Sequence, residues 1–369
     1  MRRAFGVTVV LMLLLSVQAA YAGGPPFPTP PADDYDLFFD QVELRPGVTI
    51  DIHVKVFVND QQPRPPFGKT VFAIPGGGHT AQSWDQYAEA LFTHPFKGPA
   101  TARLVALDPP GRGHSTGLTG IYFSELMVDD DVTAILATLD RLQGHGIYPS
   151  EIIGQCSGAL QVQMAQERLV ESGSSLFQEY GISRAVLLSP AIPAPIAWHW
   201  IDFAEPFLPF RVSDEELSWH FNVPAEAYLA YFFTNFHGQL SPDAPSPAEF
   251  DARGYRALWP VFWVWQIFGE TSPMPGYPEQ PPIPRPEVSP GIFGLQSGTL
   301  LHTVSYVDDV LVFPFQSTEL FDYLVDCPWW SRNTVVQAEG GVNDRIHDLH
   351  ISNPSVIIEA MSEEGWFLW

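Results

Sequence analysis

Residues 152–159 read Ile-Ile-Gly-Gln-Cys-Ser-Gly-Ala, and this segment is the strongest indication of the fold. A short apolar strand runs into a small-x-nucleophile-x-small pattern centred on Cys156, and residues 160–170 continue with helical spacing. A strand that turns directly into a helix strains its central residue, so only small residues two places before and after it avoid clashes. Gly154 and Gly158 occupy those two places.

The pattern places the turn on Cys156 and not on its neighbour Ser157. Centring it on Ser157 would put the bulky side chain of Gln155 at the position two residues before, where a small residue is needed. Cys156 is therefore the predicted nucleophile. The alternative is a degenerate turn on a relative that has lost its activity.

Two more glycine-rich turns follow their own apolar strands. Residues 75–79 (PGGGH) come after residues 70–74, and glycines there leave backbone N–H groups bare, which suits an oxyanion hole. Residues 108–115 (DPPGRGHS) come after residues 103–107 and predict a rigid loop. Each motif alone is weak, because glycine-rich turns after strands are common.

Together and in this order, the three motifs resemble the α/β-hydrolase superfamily over nearly the whole chain. The resemblance implies a mostly parallel sheet with helices on both faces and an inserted helical cap. Two departures stand out: Pro75-Gly76 occupies the oxyanion turn where the family usually has His-Gly, and Cys156 occupies the elbow where it usually has Ser.

The family order further implies an acid and then a histidine downstream of the nucleophile. Asp308 and Asp309 follow the strand at residues 299–305, and the spacing does not choose between them. His347 follows the strand at residues 334–338 and is favoured over His350, which lies closer to the helix that Pro354 is expected to open.

These roles predict an acyl-cysteine intermediate. Cys156 would attack an acyl carbon, His347 would accept the thiol proton, and Asp308 or Asp309 would hold its tautomer. The backbone N–H groups of Ser157 and of Gly77 or Gly78 would bind the oxyanion. Thioesters, activated esters and strained lactones suit a thiol nucleophile best, and unactivated amides suit it least.

Residues 191–297 should form the cap, because they lie between the predicted strands at residues 185–188 and 299–305. This segment holds six of the 11 tryptophans. Among them, Trp198, Trp200 and Trp263 are the predicted contacts of a small-molecule acyl substrate. A small helical cap that needs its own core explains the aromatic residues equally well.

The remaining organisation follows from composition and periodicity. Residues 1–22 read as a signal peptide that predicts a secreted or periplasmic protein, and its apolar run is too short to span a bilayer. Residues 23–34 form a proline-rich leader, and residues 35–190 with 298–369 form the α/β core. Residues 129–131 are three aspartates early in a helix, which we interpret as a solvated face.

Charge and cysteine content exclude some functions. With 42 acidic against 18 basic side chains, the chain carries a net charge of −24, which disfavours binding to nucleic acid or to an anionic membrane. Two cysteines cannot form a disulfide framework, and Cys327 is expected to be a plain buried or capping thiol. No histidine stands at metal-ligand spacing from a cysteine, so we expect neither a metal nor another cofactor.

Three functions remain after these exclusions. The first is an exported hydrolase of carboxylic esters, lactones or thioesters, and the second is an acyltransferase on the same scaffold. The third is a binder of hydrophobic ligands without catalysis, which a Ser to Cys change at the elbow would explain.

Overall fold

The computed structural model describes residues 33–60, 68–76, 79–121, 126–191, 288–307, 314–326, 328, 331–337 and 349–362. Its strands are β1 (Tyr35–Arg45), β2 (Val48–Val58), β3 (Lys69–Ile74), β4 (Thr101–Leu107), β5 (Glu151–Gln155), β6 (Arg184–Leu188), β7 (Leu300–Tyr306) and β8 (Arg332–Val336). They form one eight-stranded sheet in the order β1-β2-β4-β3-β5-β6-β7-β8. Strand β2 pairs in antiparallel orientation with both of its neighbours, β1 and β4. The adjacent strands β4, β3, β5, β6, β7 and β8 are all parallel to one another.

Helices cover both faces of this sheet. They are α1 (Asp85–Thr93), α2 (Val128–Gly144), α3 (Ser157–Glu171), α4 (Leu176–Tyr180), α5 (Pro314–Leu324), α6 (Leu349–Ser352) and α7 (Pro354–Ala360). Helices α2 and α3 pack against one face, and α1 and α7 pack against the other. The predicted α/β class, with a mostly parallel sheet covered on both sides, is confirmed.

The side chains of the central strands alternate between two hydrophobic cores. Phe72 and Ile74 of β3 lie in the core beneath α2 and α3, whereas Val71 and Ala73 lie in the core beneath α1 and α7. This is the period of two that a strand imposes. A strand buried on both faces is mostly apolar and does not alternate, which explains the short apolar runs in β3 to β6.

The sheet order reverses next to β3. From β3 the chain moves to β4 on one side and later returns to β5 on the other side. In open α/β sheets the crevice at such a reversal, outside the carboxyl ends of the strands, is where ligands bind. Residues that follow β3 and β5 therefore meet at this crevice.

One strand and one boundary differ from expectation. Strand β1 was not among the predicted strands; it is an antiparallel edge strand in which Gln41, at φ 53°, interrupts the pairing. The last strand was expected at residues 334–338 and lies at Arg332–Val336, because its polar start pairs with polar residues of β7: Thr303 Oγ1 donates to Asn333 Oδ1 at 2.7 Å.

Among the described helices, none combines the length and apolar character that a bilayer crossing requires.

Candidate active site at the carboxyl edge of the sheet

Cys156 lies at a sharp turn between β5 and α3. Its backbone has φ 50° and ψ −115°, a region that residues other than glycine rarely occupy. Strand β5 ends at Gln155, and α3 begins at Ser157, so one residue carries the whole reversal of direction. The Cys156 side chain is partly exposed at this edge.

The two flanking glycines are required by close backbone contacts. A Cβ on Gly154 would lie 2.6 Å from the carbonyl oxygen of Gly158. A Cβ on Gly158 would lie 2.5 Å from the carbonyl oxygen of Pro75 and 2.6 Å from that of Ile74. A side chain at either position would collide with backbone atoms, because the start of α3 packs directly on the end of β3.

Hydrogen bonds to the neighbouring strand hold the turn in place. The Cys156 N–H donates to the Leu188 carbonyl at 2.9 Å, and the Cys156 carbonyl accepts from Ala191 N–H at 3.1 Å. The Ser157 hydroxyl is buried and has no hydrogen-bond partner among the described residues. The backbone of the elbow is thus tied to β6 and to the start of the long insertion.

The glycine turn after β3 lies against this elbow. A Cβ on Gly76 would collide with the side chain of Gln155 and lie 3.1 Å from Cys156 Cβ. The Gly76 carbonyl accepts hydrogen bonds from His79 N–H and from Arg112 Nη1, each at 3.2 Å. The predicted oxyanion residues Gly77 and Gly78 lie between Gly76 and His79 in the sequence and are outside the described residues.

Arg112 belongs to a buried polar network that the sequence did not reveal. Its Nη2 donates to Asp131 Oδ2 at 3.2 Å, and the same oxygen accepts from Gln161 Nε2 at 2.6 Å. Burial raises the pKa of Asp131 to about 6, with Arg112 acting in the opposite direction. Burial lowers the pKa of Arg112.

The network corrects the interpretation of residues 129–131 as a solvated face. Asp129 is exposed and pairs with Arg168 at 3.0 Å, as that interpretation requires. Asp130 is 2% exposed, accepts from Met127 N–H at 2.8 Å, and lies 3.3 Å from Arg45 Nε. Because α2 buries its inner side against the sheet and α3, only Asp129 is exposed, Asp130 is buried, and the Asp131 side chain is 13% exposed.

Asp108 joins the loop after β4 to β2. Its Oδ1 accepts from Ala81 N–H at 2.7 Å, and its Oδ2 accepts from His114 N–H at 2.8 Å. As an imidazolium, His53 donates from Nδ1 to Asp108 Oδ2 at 2.7 Å and from Nε2 to Asp36 Oδ1 at 2.9 Å. Burial lowers the pKa of His53, but the hydrogen bonds and charges of both carboxylates outweigh it and leave that pKa raised.

The same cluster contains the described residues that come nearest to a metal site. Ligand atoms of His53, Asp108 and His114 all lie within 4.8 Å of one another. Both ring nitrogens of His53 lie at hydrogen-bond distance from carboxylates, and Asp108 Oδ2 already has two partners. A charged histidine between two carboxylates accounts for the geometry.

The other predicted site residues lie outside the described residues. These are Asp308, Asp309, His347, Trp198, Trp200, Trp263 and Cys327. The competing histidine, His350, is described: it lies in α6, is fully buried, and packs on Trp84 and His79 with ring centroids 4.8 and 5.8 Å away. It therefore supports the turn that carries His79.

Both ends of the insertion are fastened to α3. Gln163 Nε2 donates to the carbonyl of Ala191 at 3.2 Å, where the chain leaves the core. Where it returns, Gln166 Nε2 donates to the Ile292 carbonyl at 2.7 Å, and Glu167 accepts from the N–H and hydroxyl of Ser289. The helix that begins at the elbow therefore also contacts the residues that flank residues 192–287 on both sides.

Comparisons with known proteins agree with this architecture. A family model described as "Alpha/beta hydrolase family" matches residues 71–360. No curated protein matches the sequence. Among solved structures, esterase E22 has a TM-score of 0.51 at 11% identity, with 90% of this chain and 99% of that chain covered.

Two further solved structures are similar to this chain. VinJ has a TM-score of 0.50 at 17% identity, with 90% of this chain and 98% of that chain covered. The peroxisomal alpha-beta-hydrolase Lpx1 from Saccharomyces cerevisiae has a TM-score of 0.47 at 13% identity, with 90% of this chain and 86% of that chain covered. At their low identities, esterase E22 and VinJ show a shared fold and nothing about the substrate.

Proposed function

Because the chain belongs to the alpha/beta hydrolase family, we propose that it hydrolyses carboxylic esters, lactones or thioesters through an acyl-cysteine intermediate on Cys156. The observation that carries the proposal is the strained backbone of Cys156, at φ 50°, between two glycines at which a Cβ would lie 2.5–2.6 Å from backbone atoms. Strain of this kind costs about 1–3 kcal/mol and persists where the surrounding structure enforces it, most often at functional sites.

The position of the elbow supports a role as nucleophile. Cys156 follows β5 at the crevice where the sheet order reverses, and Gly76 follows β3 beside it. Its side chain is partly exposed, whereas Ser157 is buried at the start of α3.

The proposed reaction has two stages. Cys156 Sγ bonds to the acyl carbon while His347 takes the thiol proton, and the collapse of the tetrahedral intermediate breaks the bond to the leaving group, which receives that proton. Water then attacks the thioester while His347 accepts its proton, and the C–S bond breaks to restore the thiol. Asp308 or Asp309 orients His347, and the N–H groups of Ser157 and of Gly77 or Gly78 bind the oxyanion.

The acyl group would be recognised by the insertion. Trp198, Trp200 and Trp263 are the proposed contacts, because ligand pockets are mostly apolar with few polar groups. The contacts of Ala191 and Ser289 with α3 support this role, since these residues flank the insertion and the helix begins beside the nucleophile.

The decisive experiment is the detection of the covalent intermediate. The purified protein is mixed with an activated p-nitrophenyl ester and, separately, with an acyl thioester, and intact mass and peptide mapping locate the adduct. We expect an acyl group on Cys156 and turnover reduced by about 10³-fold or more in Cys156→Ala. Cys327→Ser is the matched control, because it removes the other cysteine and should keep both the adduct and the turnover.

The outcomes separate the competing functions. An adduct that is released to an added alcohol or amine and not to water identifies an acyltransferase. Binding of the ester with neither an adduct nor turnover identifies a ligand-binding protein and rejects the proposal. Turnover that is the same in Cys156→Ala and in the wild type rejects the cysteine mechanism.

We propose in addition that the protein is exported. The basic start, the apolar run and the Ala20-Tyr21-Ala22 sequence of the first 22 residues support this. Expression of the full chain in a bacterial host should yield periplasmic or secreted protein that begins at Gly23 by mass. Recovery of the full-length chain in the cytoplasmic fraction alone would contradict export.

A further inference from the structure

The buried side chain of Arg112 contacts the Gly76 carbonyl in the turn after β3. Arg112 is 6% exposed, and its guanidinium donates to the Gly76 carbonyl and to the carboxylate of Asp131. Asp131 also accepts from Gln161. A continuous chain of polar contacts therefore runs from the turn after β3, through the loop after β4 and helix α2, to helix α3.

This network is poorly explained as a source of stability. Removing two charges from water costs several kcal/mol per ion, and apolar replacements of a buried ion pair are often neutral or stabilising. Burial lowers the pKa of Arg112 and raises that of Asp131 to about 6, which are the signs of this cost. The groups that the network orients offer a better explanation.

The first oriented group is the peptide that follows Gly76. A peptide unit is planar, so a carbonyl and the N–H of the next residue are fixed in one plane. The Gly76 carbonyl shares its plane with the N–H of Gly77, one of the two proposed oxyanion donors from this turn. A guanidinium that holds the carbonyl therefore restricts the direction of that N–H.

The second oriented element is helix α3. Its first residue, Ser157, would supply the other oxyanion N–H, and Gln161 lies four residues further along the same helix. The two donors come from different elements, and the network connects those elements. The network thus connects Gly76, the residue before one proposed donor, to the helix that carries the other, and stabilisation of an oxyanion depends on the placement of its donors.

We propose that Arg112 is a positioning residue for the oxyanion hole, and that Asp131 and Gln161 hold its guanidinium in the position that fixes the Gly76 peptide. This role rests on the proposed acyl-cysteine mechanism. It requires no contact between Arg112 and the substrate. Its effect should therefore fall on the chemical step and leave substrate binding nearly unchanged.

The test compares Arg112→Gln and Arg112→Lys with a matched control, Arg168→Gln. Arg168 also joins α2 to α3, through Asp129 at 3.0 Å and Thr133 at 2.8 Å, but at the exposed surface. Rapid-mixing kinetics with a p-nitrophenyl ester give the acylation rate constant of Cys156, and steady-state kinetics give kcat and KM separately.

We expect acylation in Arg112→Gln to fall by about 10- to 100-fold, since removal of one oxyanion donor costs about 10²- to 10³-fold in kcat and this donor would be misdirected and not lost. KM should stay within about threefold of wild type, because ground-state contacts remain. Arg112→Lys should recover part of the rate, because a lysine can donate to Gly76 or Asp131 but lacks the fork that joins them. Arg168→Gln should acylate as fast as the wild type.

A second, less disruptive variant tests the proposal if Arg112→Gln does not fold. Gln161→Met removes one hydrogen bond to Asp131 with little change in volume, and we expect a 3- to 10-fold slower acylation at unchanged KM. Circular dichroism and the thermal midpoint establish that each variant is folded.

The results separate this role from the mechanism on which it rests. If the wild type forms no adduct at Cys156, the proposed function fails, and the positioning role fails with it. If the wild type is acylated and folded Arg112→Gln is acylated equally fast, the positioning role alone is wrong. Equal losses in Arg112→Gln and Arg168→Gln, or a loss only in KM, would also overturn it.

Discussion

Replacement of Gly158 by alanine tests how closely helix α3 packs on the end of strand β3. The added Cβ would lie 2.5 Å from the carbonyl oxygen of Pro75, whereas ordinary contacts begin at 3.4 Å. The two backbones must therefore separate by 3.4 − 2.5, or about 0.9 Å. Both obstacles are backbone atoms, so no side chain can rotate away to relieve the clash.

Two opposing terms set the effect on stability. Alanine gains about 1 kcal/mol over glycine inside a helix. Overpacking typically costs about 1–3 kcal/mol, and rigid backbone neighbours place this site at the upper end of that range. We expect Gly158→Ala to lower the free energy of unfolding by about 2 kcal/mol.

Gly144 provides the matched control. It is the last residue of α2, and a Cβ there would meet nothing within 4 Å. Gly144→Ala should be neutral or stabilising by up to about 1 kcal/mol. Denaturant titrations of both variants give the comparison, and we expect the two to differ by about 2–3 kcal/mol.

The same displacement should reduce catalysis. It separates the turn that follows Pro75 from the start of α3, the two sources of the proposed oxyanion donors. A misplacement of about 1 Å can cost about 10²-fold in rate. If Gly158→Ala is as stable and as active as Gly144→Ala, the close packing of α3 on β3 is wrong, and the assignment of these two elements to the oxyanion hole loses its basis.

Two further predictions concern buried charges. His53 has a pKa raised above that of the unfolded chain by Asp108, so the stability it contributes is complete below about pH 6.5 and is lost as the pH rises through its folded pKa. Unfolding free energies at pH 5 to 8 should show this loss in the wild type and not in His53→Gln; identical pH profiles would disprove it. Glu151 pairs with Arg184 at 3.2 Å, with side chains 10% and 8% exposed. Glu151→Gln should cost about 3–5 kcal/mol, and the double replacement of both residues by methionine should recover most of that loss, as measured by denaturant titration. Equal stability of Glu151→Gln and the wild type would contradict the prediction.

The sequence predicted the central strands and failed on the edge for physical reasons. Strands buried on both faces are mostly apolar, so β3, β5 and β6 were visible as short apolar runs, although Glu151, Gln155 and Arg184 at their ends are buried as well. Strand β1 has polar and exposed residues mixed with apolar ones, and a register shift between Phe39 and Val42 breaks its alternation. A pattern of period two cannot be recognised across such a shift.

The candidate site divides in the same way. The elbow at Cys156 is a local feature, because its sharp turn is possible only when the residues two positions away on each side are small. The network around Arg112 depends on contacts 19, 30 and 36 residues apart in sequence. Nothing in the letters Arg-Gly or Asp-Asp-Asp indicates which face of a helix will meet which loop. An arginine between two glycines directly after a strand was the available signal, and it indicated a loop without indicating its partner.

The strain at the sheet edge bears on the choice between an active and a degenerate elbow. Among the described residues, three non-glycine residues have positive φ, and two of them, Cys156 and Ser189, directly follow the adjacent strands β5 and β6. Each costs about 1–3 kcal/mol, which mutations that relax the turn would recover once activity was no longer required. Gly154 and Gly158 instead keep Cys156 strained, and hydrogen bonds to Leu188 and Ala191 hold it there. A chain that had only drifted from serine to cysteine has no need of these constraints, so their presence supports a working nucleophile.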